Sequence, residues 1–541
     1  MRIHQHVSRR LALPRAWWAH QGGASAVIFT IALAVLAPAG VGLVDVYMST
    51  QQRAKLQDAL DAATLYAARS NAQTSADADI AGDKALNANL KLISGATLQS
   101  STFTLNGSKV QAVAQVRLPA FAPAFFDHQP ITVNSEVQRG LDKLEVALVL
   151  DNTGSMVLNN SPKLATLKTQ AKILIDKLKA SAASSSDPTP LRISLVPFAN
   201  TLRVQGTTSL SSYSASSHSG PGIPTWIDPQ AKAYWVAGRS DAFSSQYSDR
   251  LGMMKAIGQS WAGCVEKRMQ PYDVMETTPT SSDADTMYVP YFYPDAPDSN
   301  WSGTGWAKGD GYNDYLPDVT NDTNWKIREK YTPKYVSTTW RHTGTFNDGL
   351  GMTFTYGPNA GCVLQPLIRL TTDTDSVKTA IDGMTAIGQT DIPIGLAWGW
   401  NTLSPTGPFG DGLAYSTPHM KKIVILMTDG ENTNYDSGDA NASYYSGVGF
   451  LWQALSSLTT SMSSAQRTAQ IDGRLAQLCT NMKAQHIYIY TIRVEVATGS
   501  STLLQNCASS PDKFFDVTNV AALGAAFDAI AADITNLRIS H

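Results

Sequence analysis

Three short stretches, far apart in the chain, constrain its fold most: Asp151-Asn-Thr153-Gly-Ser155, Gly388-Gln-Thr390-Asp391 and Thr428-Asp429-Gly430. The first and third each follow an apolar run of strand character, residues 145–150 and 422–427. In an open parallel sheet, ligand sites lie beyond the carboxyl ends of the strands. The carboxylates of Asp151 and Asp429 and the hydroxyls of Thr153, Ser155 and Thr390 are therefore expected to meet at one sheet edge. All five are hard oxygen donors. They suit Mg²⁺ or Ca²⁺, with Mn²⁺ also accommodated, rather than zinc or copper. Taken singly, each stretch is also a helix cap, a turn or a common loop. The three together, in this order and beside these elements, point to a divalent cation.

The flanking pattern agrees. Strands are predicted at 146–150, 192–198, 423–427, 487–494 and 514–517, and helices at 163–180, 392–403, 471–485 and 520–537. Such alternation builds a parallel sheet covered on both faces. The apolar run at 423–427 fits a central strand. The expected class is α/β, a doubly wound, mostly parallel sheet formed by residues 143–204 and 381–541. Between 205 and 380 the rhythm stops. That stretch is rich in Trp, Tyr, Gly, Ser, Asp and Pro and too long for a loop. It reads as an inserted subdomain whose aromatics form its own core rather than a recognition surface. Upstream, 91–142 reads as a small β unit: Asn106-Gly107 between strand-like 102–105 and 109–116 is a hairpin signal, and 131–137 alternates apolar and polar.

Residues 24–44 carry no charged side chain and are long enough to span a bilayer as helix. Arg2, Arg9, Arg10 and Arg15 precede them. The positive-inside rule then makes 1–23 a basic cytoplasmic tail and 24–48 a transmembrane helix, with the remainder exported. Pro38, Gly40 and Gly42 are tolerated in a membrane helix. A cleaved signal peptide, with Ala37-Pro38-Ala39 as its small-residue site, is the alternative. Further on, Leu56, Leu60, Ala63 and Ala67 share one helical face, so 49–90 reads as a membrane-proximal stalk helix. A net charge of −2 over 541 residues lacks the basic footprint of a nucleic-acid binder. The four cysteines, Cys264, Cys362, Cys479 and Cys507, fit no zinc spacing. In an exported chain their even number implies two disulfides. Of the three connectivities, Cys264–Cys362 with Cys479–Cys507 is favoured, because each pair lies within one region of the sequence.

The three stretches resemble the metal-ion-dependent adhesion site of von Willebrand factor A (vWA) domains: Asp-x-Ser-x-Ser, a distant Thr and a distant Asp. Asp151, Thr153 and Ser155 match the first element, Thr390 the second and Asp429 the third. Thr153 stands where Ser is usual. It still offers one hydroxyl oxygen, so affinity rather than ligand count is affected. More widely, the chain resembles TadG-type proteins of the Gram-negative tight-adherence (Flp) pilus system. The strings that carry this are Leu56-Gln-Asp-Ala-Leu60-Asp-Ala-Ala, Val149-Leu-Asp151-Asn-Thr-Gly-Ser-Met156, Trp261-Ala-Gly-Cys264-Val-Glu, Val289-Pro-Tyr-Phe, Gly361-Cys362-Val, Trp398-Gly-Trp-Asn-Thr-Leu-Ser404-Pro405 and Cys507-Ala-Ser-Ser-Pro511. The resemblance runs from about residue 22 to the C-terminus. One feature departs from prepilins, which carry Glu five residues after the processing Gly. Gly23 is followed at that offset by Ile28, so no prepilin processing is expected.

The resemblance implies a single-pass inner-membrane protein with its bulk in the periplasm, or one reaching the outer membrane or surface. It would act in pilus assembly, adhesion or biofilm formation. A divalent ion at the five residues would leave an open position for an oxygen, typically a carboxylate, of a protein partner. Two other classes compete: a structural stalk with a vestigial site, and a metal-dependent hydrolase. The sequence contains no HExxH, GxxxxGK[ST] or GxSxG, and its histidines show no ligand-like spacing, so no enzyme activity is expected.

Overall fold

The computed structural model describes residues 16–539, apart from 71, 73, 107–108, 120–128, 139–141, 184, 186, 299–312, 321, 348–351, 435–440, 442 and 496–500. The chain divides into two compact units, Met1–Arg139 and Gly140–His541. Residues 1–15 of the expected basic tail and most of the hairpin turn at Asn106-Gly107 fall outside the described residues, while 16–23, also assigned to that tail, already belong to the first helix.

The first unit begins with helix α1 (Ala16–Arg69), which continues through Pro38. Its segment from Ala26 is long and apolar enough to cross a membrane, and Phe29, Leu36 and Leu43 point outward, each more than half exposed. The predicted face of Leu56, Leu60, Ala63 and Ala67 is fully buried. It packs with α2 (Ser75–Leu90) on a sheet of β1 (Thr97–Asn106), β2 (Lys109–Arg117) and β3 (Ile131–Gln138), ordered β1-β2-β3. Residues 49–90 therefore form a core with the β unit instead of a free stalk. The reason is the period of two along β2, which turns Val110, Ala112, Ala114 and Val116 toward the helices. Helix α2 starts at a capping box between Thr74 and Asp77. It lies so close to the sheet that a Cβ at Gly82 would fall 2.3 Å from the Phe103 ring.

In the second unit, β4 (Lys143–Asp151), α3 (Lys163–Ala182) and β5 (Leu191–Phe198) come first. Short elements follow: β6 (Leu202–Arg203), α4 (Arg250–Ala256), β7 (Cys264–Val265), α5 (Trp325–Lys330), β8 (Thr345–Asn347) and β9 (Thr353–Thr355). Then come β10 (Ile368–Thr371), α6 (Thr374–Asp382), α7 (Ile392–Leu403), β11 (Met420–Thr428), α8 (Ser464–Ala484), β12 (Tyr488–Val494), α9 (Ser501–Cys507), β13 (Phe514–Val517) and α10 (Leu523–Ile539). Among the described residues the main sheet has the order β10-β5-β4-β11-β12-β13. Strands β5, β4, β11, β12 and β13 pair in parallel, and β10 joins β5 antiparallel, so the sheet is mixed at one edge.

Alternation along each central strand feeds two cores. Val146, Leu148 and Leu150 of β4 and Ile423, Ile425 and Met427 of β11 face α3, α6 and α10. Ala147, Val149, Val424 and Leu426 face α7, α8 and α9. Helix α7 approaches its face closely because it carries Gly395 and Gly399. A Cβ at these positions would fall 2.4 Å from Phe198 and 2.5 Å from Val149. The 520–537 segment is apolar enough to mimic a membrane span, but Phe527, Ile530 and Ile534 are buried against the sheet.

Two expectations change. The sheet resumes at Ile368 through β10, not at 381; four residues containing Arg369 give too weak a periodic signal to reveal an edge strand. The 205–380 stretch is also not a separate subdomain. Its Trp226, Trp261, Tyr288, Tyr291 and Phe292 are buried in the same core as α7, and Tyr288 and Trp226 lie 4.6 and 5.7 Å from the Trp398 ring. A segment poor in aliphatics buries its aromatics against the sheet's helix layer. Both favoured disulfides form, Cys264–Cys362 and Cys479–Cys507.

Candidate functional site

Parallel pairing sets the site. The register places β4 and β11 side by side, so both strands end at the same edge, β4 with Asp151 and β11 with Thr428, one residue before Asp429. The side chain of Asp151 is fully buried, and Asp429 is 5% exposed. Past Asp151 the chain turns at once. Its Oδ1 accepts the Thr153 N–H at 2.8 Å, and its Oδ2 accepts the Thr428 hydroxyl at 2.6 Å. The turn brings the Thr153 and Ser155 hydroxyls to 2.9 Å from one another, and the Ser155 hydroxyl donates to Asp429 Oδ1 at 2.7 Å. Residues separated by 274 positions are thus directly bonded.

Thr390 arrives on the loop before α7. That loop is pinned to the first turn by Gly154 N–H to the Gly388 carbonyl at 3.1 Å and Ile387 N–H to the Asn152 carbonyl at 2.8 Å. The Asn152 amide also donates to the Thr385 carbonyl. Thr390 exchanges hydrogen bonds with Thr433, its N–H to the Thr433 hydroxyl at 3.0 Å and its carbonyl from the Thr433 N–H at 2.9 Å. Asp391 then caps α7 through Ile394 N–H at 3.1 Å, while its other oxygen takes Lys267 at 2.5 Å.

Gly430 locates the cradle. A Cβ there would sit 3.3 Å from Thr390 Oγ1 and 3.9 Å from Ser155 Oγ. The absence of a side chain keeps open the space between these hydroxyls. All five predicted side chains, Asp151, Thr153, Ser155, Thr390 and Asp429, therefore lie around one small volume. Among the described residues no three His, Cys, Asp or Glu side chains cluster as metal ligands; here two carboxylates and three hydroxyls make up the set. Their chemistry, all oxygen with two negative charges, fits a hard divalent cation.

Electrostatics agree with that fit. Burial, followed by the negative charge of Asp429, pushes the Asp151 carboxyl up to about 7, against the opposing hydrogen bonds from Thr153 and Thr428. Two acids in so small a space favour either a proton or a cation.

Sequence reasoning missed Lys163. At the first position of α3, its ammonium contacts Asp429 Oδ2 at 2.9 Å. The only available signal was a cation at the start of a predicted helix, which ordinarily reads as solvated surface. Thr428 was visible in the third stretch, but its bond to Asp151 depends on strand register.

No protein-family model and no curated protein matches the sequence. Among solved structures, the chain is similar to the pilus adhesin SpaC from Lactobacillus rhamnosus GG at 11% identity, covering 82% of this chain and 35% of that one, with a TM-score of 0.32. The chain thus spans about a third of that structure. It is similar to the vWF domain of the type V pili tip protein Mfa5 from Porphyromonas gingivalis at 13% identity, covering 74% and 97%, with a TM-score of 0.31. The PilB minor pilin from Streptococcus sanguinis matches at 11% identity, covering 82% and 79%, also with a TM-score of 0.31. TM-scores this low assign neither fold nor function to this chain.

Proposed function

We propose that this chain is an envelope-anchored adhesion or pilus-assembly protein whose second unit captures a protein partner through a divalent cation. The observation that carries this reading is the convergence of Asp151, Thr153, Ser155, Thr390 and Asp429 at the carboxyl edge of β4 and β11. Mg²⁺ or Ca²⁺ would be held by these five residues and would supply an electropositive point for a partner's carboxylate. The vWA architecture is supported by a central parallel sheet covered by helices on both faces, with the site at its carboxyl edge. The tight-adherence assignment rests on the dispersed strings that resemble TadG-type proteins. Anchoring in the inner membrane is supported by an apolar α1 behind an arginine-rich tail, and a periplasmic location by two disulfides.

The site is read as binding rather than catalytic. In detergent-solubilised full chain, Asp151→Ala is expected to stay folded and to lose the rise in Tm that Mg²⁺ produces in the parent. An unchanged Mg²⁺ shift in the variant would defeat the reading. Turnover of ester or phosphodiester substrates that disappears in Asp151→Ala would favour the hydrolase instead.

A further inference from the structure

Every carboxylate oxygen of the site already has an internal donor. Thr153 N–H and the Thr428 hydroxyl serve Asp151, and the Ser155 hydroxyl serves Asp429 Oδ1. The fourth oxygen, Asp429 Oδ2, is held by the Lys163 ammonium at 2.9 Å. This is a shielded pair: 14% of the Lys163 side chain and none of that of Asp429 is exposed. The placement runs against the helix that provides it. Lys163 opens the 20-residue α3, where the macrodipole is positive and disfavours a cation. Attraction to Asp429, not helix formation, accounts for the contact.

Resting on the cation reading above, we infer that Lys163 is a resident counter-ion of this site, which a divalent cation must displace from Asp429. One positive charge leaves as two arrive, so the ammonium lowers the site's affinity and keeps the two carboxylates folded together in the metal-free protein. Lys163 thus sets how much free Mg²⁺ or Ca²⁺ the site needs before it can engage a partner.

Calorimetric titration of MgCl₂, and separately CaCl₂, into chelator-stripped full chain in detergent tests this with the parent, Lys163→Gln and Lys163→Arg. Lys163→Gln is expected to bind Mg²⁺ about tenfold or more tightly, the size of one charge-assisted hydrogen bond between shielded partners. Lys163→Arg keeps the charge and is expected to stay near the parent. Equal or weaker binding by Lys163→Gln than by the parent overturns the counter-ion role and leaves the cation site standing. No binding by any of the three overturns both. If Lys163→Gln unfolds in chelator, Mg²⁺ is expected to restore the fold, and failure to do so also overturns the inference.

Discussion

Replacing Asp151 by Asn is expected to stabilise the metal-free protein while abolishing its response to metal. Asp151 is fully buried, and burial together with the Asp429 charge raises its carboxyl to about 7. In the unfolded chain an Asp titrates near ~3.9. Between these values the folded state holds a proton that the unfolded chain has released. Stability from this group is therefore complete below about pH 4 and falls by about 1.4 kcal/mol per pH unit up to about 7. At pH 8 the whole penalty, on the order of 4 kcal/mol, is in force. Asn removes the charge, accepts from Thr153 N–H and can donate to Thr428, so both partners at 2.8 and 2.6 Å remain satisfied. The charge assistance of those two bonds is already contained in the raised carboxyl value, which stands against them. The gain at pH 8 is therefore on the order of 4 kcal/mol, roughly 5 °C for a unit on the order of 400 residues. Thermal and urea denaturation in EDTA at pH 8 and pH 5 measures it. The gap between Asp151→Asn and parent should shrink at pH 5. An Asp151→Asn protein less stable than parent at pH 8, or a gap independent of pH, would refute the electrostatic account.

Other outcomes follow from separate parts of the molecule. Thr390→Val preserves shape but removes one hydroxyl oxygen ligand, so Mg²⁺ affinity in calorimetry should fall about tenfold, with the chelated protein's unfolding free energy in urea changed by less than ~1 kcal/mol. Gly399→Val would drive a side chain into Val149, whose Cγ2 lies 2.5 Å from a Cβ there, and should destabilise by about 1–3 kcal/mol in urea. The Cys264–Cys362 bridge spans a separation of 98 residues and Cys479–Cys507 one of 28. Loop-closure entropy then gives losses of about 5 and about 4 kcal/mol for the paired Ser variants, measurable by denaturation under non-reducing conditions.

The β4 and β11 edge was legible because 146–150 and 423–427 are unbroken apolar runs, so the polar residues that follow each, Asp151 and Thr428-Asp429, stand out. Helix α7 was legible from Pro393 and Asp391 at its start, and its bounds match those predicted. Helix α2 was not resolved as its own element, because Ala-rich 75–90 has little amphipathic contrast and gains its face only by meeting Phe103. The 205–367 stretch carries no sustained period, since its chain is held by aromatic packing and buried ion pairs such as Arg250 with Glu266 and Asp241. Such contacts depend on tertiary neighbours. The same applies to Lys163, whose partner lies 266 residues away.

The proposed function stands or falls with a cation held by five side chains at the edge of β4 and β11. Anomalous diffraction from crystals grown with Mn²⁺ tests it most directly. One strong difference peak is expected at oxygen-ligand distance, about 2.0–2.6 Å, from Asp151, Ser155 and the neighbouring hydroxyls, with Lys163 withdrawn from Asp429. A map with no peak there at saturating Mn²⁺, and Lys163 still seated on Asp429, would contradict it.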